Sequence, residues 1–233
     1  MKVALVSYKK ELLTEPLARY GLVLDQKAPD AVIAFGGDGT LLFAEQKYPA
    51  VPKLFIKHPT DCTNCYAHDF SRILETLAAG RYRIQEEMKL QAIVGKKKVI
   101  ALNDLSVHYT PPRALRFTVE INGKQLDETI ISDGVVVSTP WGSPGYFSSI
   151  TRRVFRRGLG LAINNPVKPM RPEFLDEHAI IRVRIVRENG VLVWDCSDKP
   201  IKLKPGDDVL IKSSLERARL IMLEGMPLKI TKY

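Results

Sequence analysis

Residues Ala34–Gln46 read AFGGDGTLLFAEQ, with Gly36, Gly37, Asp38, Gly39 and Thr40 wedged between two apolar runs. An apolar run entering such a stretch reads as a strand that turns into a helix. Glycine lets the backbone take positive φ and lets a ligand approach closely. The N–H groups and dipole at a helix start favour an anion such as phosphate, and Thr40 adds a hydroxyl donor. A carboxylate repels phosphate. Asp38 therefore has a chemical role there if it accepts a proton from an attacking hydroxyl or holds a divalent cation. The competing reading is a tight turn in which Asp38 only caps the helix. The spacing is neither that of a P-loop nor that of a dinucleotide fingerprint.

Two more polar clusters interrupt apolar sequence: Asn103-Asp104 within IALNDLSVHY, and DGVVVSTPWGSPGYFSS from Asp133 to Ser149. Buried polar groups need partners, so three such clusters point to one shared site. A further stretch, IKHPTDCTNCYAHDF, holds His58, Cys62, Cys65 and His68. A single C-x2-C is a weak zinc signal: these four residues either ligate a metal or, the favoured reading, the cysteines are reduced and packed in a loop. Arg152, Arg153, Arg156 and Arg157 form a basic cluster that either meets phosphate or is a solvated face.

The elements that must carry these residues alternate in the first third of the chain. Strands are expected at 2–7, 30–35 and 53–56. Helices are expected at 11–20, with Pro16 in the first turn, from Gly39 to Gln46, and at 70–79. That alternation predicts a parallel sheet in a Rossmann-like α/β domain over residues 1–82. From there on, short strands and turn signals such as Asn122-Gly123 predict a β-rich, sandwich-like domain over 83–233, its tail packing back on the first. In that domain one strand is expected over Ile100–His108 and one helix near Gly145–Gly158.

The 233 residues suffice for a real core, and no run of apolar residues is long enough to span a membrane. The N-terminus reads as a first strand rather than a signal peptide, and three cysteines without a signal suit the cytoplasm. A net charge of +9 suits an anionic partner, but no nucleic-acid recognition motif accompanies it.

GGDGT after a strand, then Asn103-Asp104, then DGVVVSTPWGSPGY, in that order, resembles the NAD kinases; LAINN at 161–165 and KPGDD at 204–208 resemble later segments of the same family. GGDGT alone is shared with diacylglycerol, sphingosine and phosphofructokinase-like kinases. The resemblance implies phosphoryl transfer from ATP or polyphosphate to the 2′-hydroxyl of the adenosine ribose of NAD, with Mg²⁺, in a homodimer or homotetramer. It implies that Asp38 is catalytic and that Gly36, Gly37, Gly39 and Thr40 cradle the donor phosphates. It further implies that Asn103, Asp104, Asp133, Tyr146, Ser149, Ile163 and Asn164 bind NAD.

The chain departs from the family at Asp104, where the family has Glu, and at Trp141 and Pro144 in the Pro/Gly/Ser loop. The family's glycine pair after that loop is replaced by Thr151-Arg152-Arg153, and its glycine-rich loop after the third strand is replaced by residues 57–69, which lack glycine. These departures leave two rival expectations: a related kinase with a different acceptor, or a nucleotide-binding regulator without turnover.

Overall fold

A computed structural model describes residues 1–57, 70–110 and 113–226. The expectations for His58, Cys62, Cys65 and His68 lie outside the described residues. The chain divides into two compact units, Met1–Glu87 with Arg217–Tyr233, and Met88–Glu216.

In chain order the elements are β1 (Lys2–Val6), α1 (Glu11–Arg19), β2 (Val23–Leu24), β3 (Ala31–Gly36), α2 (Asp38–Lys47), β4 (Lys53–Lys57), α3 (Phe70–Ala78), β5 (Tyr82–Val94), β6 (Lys97–Ala101) and β7 (Asp104–Tyr109). There follow β8 (Leu115–Ile121), β9 (Lys124–Gln125), β10 (Ile130–Ser132), β11 (Gly134–Ser138), α4 (Tyr146–Thr151), β12 (Leu159–Asn164), β13 (Glu173–Leu175), β14 (Ile181–Arg187), β15 (Gly190–Trp194), β16 (Ile201–Leu203) and β17 (Asp208–Leu223).

The first unit is α/β. Its strands run β2-β1-β3-β4-β17, every neighbouring pair parallel. β3 is buried along its whole length, as a central parallel strand must be. Ala31, Ile33 and Phe35 join Leu13 and Leu17 of α1 and Leu74 and Leu77 of α3 in one core. Successive strand residues point to opposite faces, and α2 packs on the sheet through its own buried residues Leu41, Leu42 and Ala44. Pro16 lies inside α1 and not in its first turn, because the helix begins at Glu11. Leu13 and Leu17, one turn apart and buried, hold the helix through the missing N–H.

The second unit is β-rich. One antiparallel sheet runs β13-β12-β11-β7-β15-β16. Strands β10, β8, β14 and the start of β17 form an antiparallel group, and β5 pairs with β6. Leu105, Val107, Val135, Val137, Leu161 and Ile163 from the first group meet Phe117, Val119, Ile181, Val183 and Val209 from the second in one core. This is the mixed architecture expected from the pattern of elements. Asn122 and Gly123 both take positive φ, 52° and 81°, as the hairpin turn between β8 and β9 requires.

Two local expectations change. The run 100–108 is two strands, β6 and β7, broken at a corner at Leu102-Asn103. The helix expected over 145–158 is only α4, ended by Arg152 in the left-handed region at φ 57°. There the Thr151 hydroxyl accepts from the Arg153 N–H, and Phe155 turns in to stack edge-on against Phe147 and Phe174. Among the described residues no helix is long and apolar enough to cross a membrane.

Candidate functional site

In the α/β unit the candidate site lies at the carboxyl end of β3, the edge at which open parallel sheets receive ligands. Gly36 ends the strand at φ 154°, and a Cβ there would run into the Thr40 side chain. Thr40 is itself buried, 6% exposed, so its hydroxyl lies under Gly36. Gly37 and Gly39 differ: nothing stands within 4 Å of where a Cβ would be on either. The helix cap is Gly37, in extended conformation and without a side-chain hydrogen bond. Asp38 therefore does not cap α2 in the side-chain sense. Its carboxylate is 70% exposed and lies 3.5 Å from the Lys57 ammonium. Gly36 and Lys57 are register partners on β3 and β4. Deeper in, Glu45 of α2 pairs with Lys53 at the start of β4, both almost wholly buried, and Lys53 also donates to the Pro49 carbonyl. Removing one partner of such a pair leaves a buried charge, so the pair fixes α2 on the sheet.

In the β-rich unit the site is built on the face of β7, β11 and β12 opposite the core. Alternation along β7 sends Leu105 and Val107 into the core and Asp104, Ser106 and His108 to the other face. Register pairs Asp104 with Ser138 and His108 with Gly134 across β7 and β11, and Gly134 with Asn164 across β11 and β12. A Cβ on Gly134 would strike the Val107 carbonyl, so glycine is required there for the strands to meet. Tyr146 of α4 accepts a hydrogen bond from the Asn164 amide at 3.1 Å, and its ring centroid lies 5.8 Å from that of His108. Asp133 accepts from the Asn165 amide at 3.1 Å.

The electrostatics tie these groups together. Burial, with the charge of Asp195 behind it, pushes the Asp104 carboxyl up to about 7. Burial holds the His108 imidazole below its usual value, with Asp133 opposing. Burial and the charges of Asp104 and Asp133 push the Tyr146 phenol up. The face therefore carries the His108–Tyr146 aromatic pair and, in Asp104, a carboxyl that keeps its proton to a far higher pH than an ordinary aspartate.

The corner before Asp104 is fixed from three sides. The Asp195 carboxylate accepts from the N–H groups of Leu102 at 2.9 Å and Asn103 at 2.8 Å, and more weakly from that of Asp104. The Thr139 hydroxyl donates to the Leu102 carbonyl at 2.6 Å, and its N–H to that of Asn103 at 2.9 Å. Gly142 sits so close that a Cβ would overlap the Asn103 backbone.

The structure thus gathers Asp104, Asp133, Tyr146 and Asn164, with Asn103 half-buried at the adjoining corner. It does not bring in two of the expected NAD-binding side chains. Ile163 points into the core, 5% exposed, because it alternates with Asn164. Ser149 is exposed and donates back to the Tyr146 carbonyl. Sequence reasoning missed His108, Lys57 and Asp195. The period-two run Asp104, Ser106, His108 held the signal for the first. The polar end of the apolar strand KLFIK held it for the second. Asp195 has no local signal, since its partners are about ninety residues away.

No group of three or more His, Cys, Asp or Glu that could hold a metal ion occurs among the described residues. Asp38 is the exposed carboxylate at the phosphate-type loop, and Mg²⁺ is commonly held by one or two carboxylates together with substrate phosphates.

A family model of the ATP-NAD kinase C-terminal domain matches residues 102–223. The NAD kinase of Clostridium perfringens is 30% identical over 215 residues, covering 86% of this chain and 78% of that protein. NAD kinase 1 of Oceanobacillus iheyensis is 27% identical over 227 residues, 92% of this chain and 78% of that protein. Two crystal structures share the fold. Yeast NADH kinase complexed with NADH has a TM-score of 0.80 at 17% identity, over 94% of this chain and 82% of that one. An NAD kinase from Archaeoglobus fulgidus in complex with ATP has a TM-score of 0.77 at 20% identity, over 96% and 94%. The order of its motifs, its fold and these matches together establish that the chain belongs to the NAD kinase family of phosphotransferases.

Proposed function

We propose that the protein phosphorylates the 2′-hydroxyl of the adenosine ribose of NAD, taking the phosphoryl group from ATP or inorganic polyphosphate. The observation that carries the phosphoryl transfer in this reading is the GGDGT loop, with open space over Gly37 and Gly39 and an exposed carboxylate between them. The N–H groups at the start of α2 receive donor phosphates. The acceptor oxygen attacks the terminal phosphorus while Asp38 takes the hydroxyl proton. The bond from that phosphorus to the donor's bridging oxygen breaks, and ADP, or the shortened polyphosphate, leaves with the electron pair. Catalysis is then mainly positioning and charge stabilisation. Asp38 and the donor phosphates would hold Mg²⁺, which when bound neutralises phosphate charge.

The face of Asp104, His108, Asp133, Tyr146 and Asn164 suits a nucleoside. The aromatic rings offer a surface to a base, and the acids and amide offer hydrogen bonds to ribose hydroxyls. Relatives named NAD kinase and a fold neighbour solved with NADH support this acceptor class. Assembly as a homodimer or homotetramer belongs to the same proposal and is read by light scattering.

The test is NADP formation by the purified protein with NAD or NADH, Mg²⁺, and ATP or polyphosphate. Product with NAD is expected. No product with any donor, alongside turnover on another nucleoside or lipid acceptor, would replace NAD as the substrate. NAD binding by calorimetry without turnover would make the protein a regulator instead.

A further inference from the structure

β4 carries two lysines on its α2 side, and each meets an acid of that helix. Lys53, at the start of the strand, meets Glu45 in the interior. Lys57, at the carboxyl end, meets Asp38 at the surface. The first pair is a structural tie. The second stands at the mouth of the GGDGT loop, where a structural tie contributes little: an exposed lysine–carboxylate pair is worth about 1 kcal/mol or less. Yet Lys57 is held. Its side chain is only 26% exposed, and its ammonium sits 5.7 Å from the centre of the Phe55 ring, two residues back on the same face.

The geometry gives that ammonium a ligand. Lys57 is the register partner of Gly36 at the end of β3, and its ammonium lies 3.5 Å from the carboxylate of Asp38, which stands between Gly37 and Gly39, the two loop glycines with open space where a Cβ would be. A lysine ammonium has three donors, and one carboxylate oxygen at 3.5 Å leaves capacity for a stronger acceptor. The terminal phosphate group, which carries up to two charges against one on a carboxylate, is such an acceptor. We propose that Lys57 binds the terminal phosphoryl group of the phosphate donor and holds it beside Asp38. This rests on the reading that the GGDGT loop receives that donor. Before the donor arrives, Lys57 satisfies Asp38; with the donor bound, the ammonium turns to the phosphoryl oxygens and leaves the carboxylate to the acceptor hydroxyl.

Calorimetry without acceptor tests this, with ATP, ADP, AMP and inorganic tripolyphosphate titrated into the wild type, Lys57→Met and Lys57→Arg. Loss of one charge-assisted contact predicts that Lys57→Met binds ATP about 10-fold more weakly. AMP should stay within about twofold on the same scale, and Lys57→Arg should recover most of the loss. Tripolyphosphate falling in parallel with ATP would assign the contact to the phosphate chain whichever molecule carries it. ATP affinity unchanged in Lys57→Met overturns the proposal. So does an equal fall for ATP, ADP and AMP, which would mean that the loop itself had moved. A wild type that binds none of these ligands removes the donor site altogether. If Lys57→Met loses ATP selectively while the wild type makes no NADP, Lys57 stands and the acceptor assignment fails.

Discussion

Both units turn from a buried strand into a glycine-bearing loop and a helix, and the two loops use glycine for opposite ends. In the α/β unit, Gly37 and Gly39 face open space and Asp38 projects from between them. In the β-rich unit the glycine room is already filled by the protein itself: in the loop Gly142 by the Asn103 backbone, and in the flanking strands β11 and β12 Gly134 by the Val107 carbonyl and Gly160 by the rings of Phe147 and Phe155. The same residue type therefore leaves open space in one loop and permits close approach of the chain in the other. One loop is chemically exposed and mechanically simple; the other is a brace that sets where Asn103 and Asp104 stand.

Substitutions can break that contrast, the largest effect first. Asp38→Asn should lower kcat by a factor of about 100 to 10,000, the usual worth of a positioned general base. Its melting temperature should stay at the wild-type value, because the side chain is mostly solvent-exposed; a large fall in stability would make the first loop a brace as well. Gly142→Ala should cost about 3 kcal/mol or more in urea denaturation, since the new Cβ has only backbone to displace. Asp195→Ala strands the N–H groups of Leu102 and Asn103, with an expected cost of about 2–4 kcal/mol. Gly37→Ala and Gly39→Ala should each change stability by no more than about 1 kcal/mol while weakening ATP binding. Equal destabilisation by Gly37→Ala and Gly142→Ala would erase the distinction.

The last effect is a pH dependence. The folded protein holds the Asp104 carboxyl near 7 against an ordinary 3.8, so between those values the folded state binds the extra proton. The stability this gives is complete below about 4 and is lost as the pH rises through about 7. Asp104→Asn imitates the protonated acid. Relative to wild type it should raise the melting temperature at pH 8 and leave it little changed at pH 4. An identical difference at both values would show that Asp104 is not the group responsible.

Much of the scaffold was legible in the sequence because local rules decide it. An unbroken apolar run, AVIAF, becomes a central parallel strand, and Asn122-Gly123 becomes a positive-φ hairpin turn. Two misreadings arose where contacts with other segments override local preference. The run 100–108 breaks at a corner because Asp195 and Thr139 take up its backbone groups. The helix after Gly145 stops at Arg152, and Phe155 goes to an aromatic cluster formed with Phe147 and Phe174. Ile163 and Asn164 read as a pair in sequence, but strand alternation gives the core one and the polar face the other.

By itself the sequence determined the two fold types, the strand–glycine turn–helix at GGDGT and the family, since each is written in contiguous residues with their own periodicity or motif. Only the tertiary structure decided that Gly37 and Gly39 are open while Gly142 is closed, that Lys57 stands against Asp38, and that Asp195 braces the corner before Asp104. Those facts depend on which strands are neighbours and in what register, and a register is set by the packing of residues far apart in the chain.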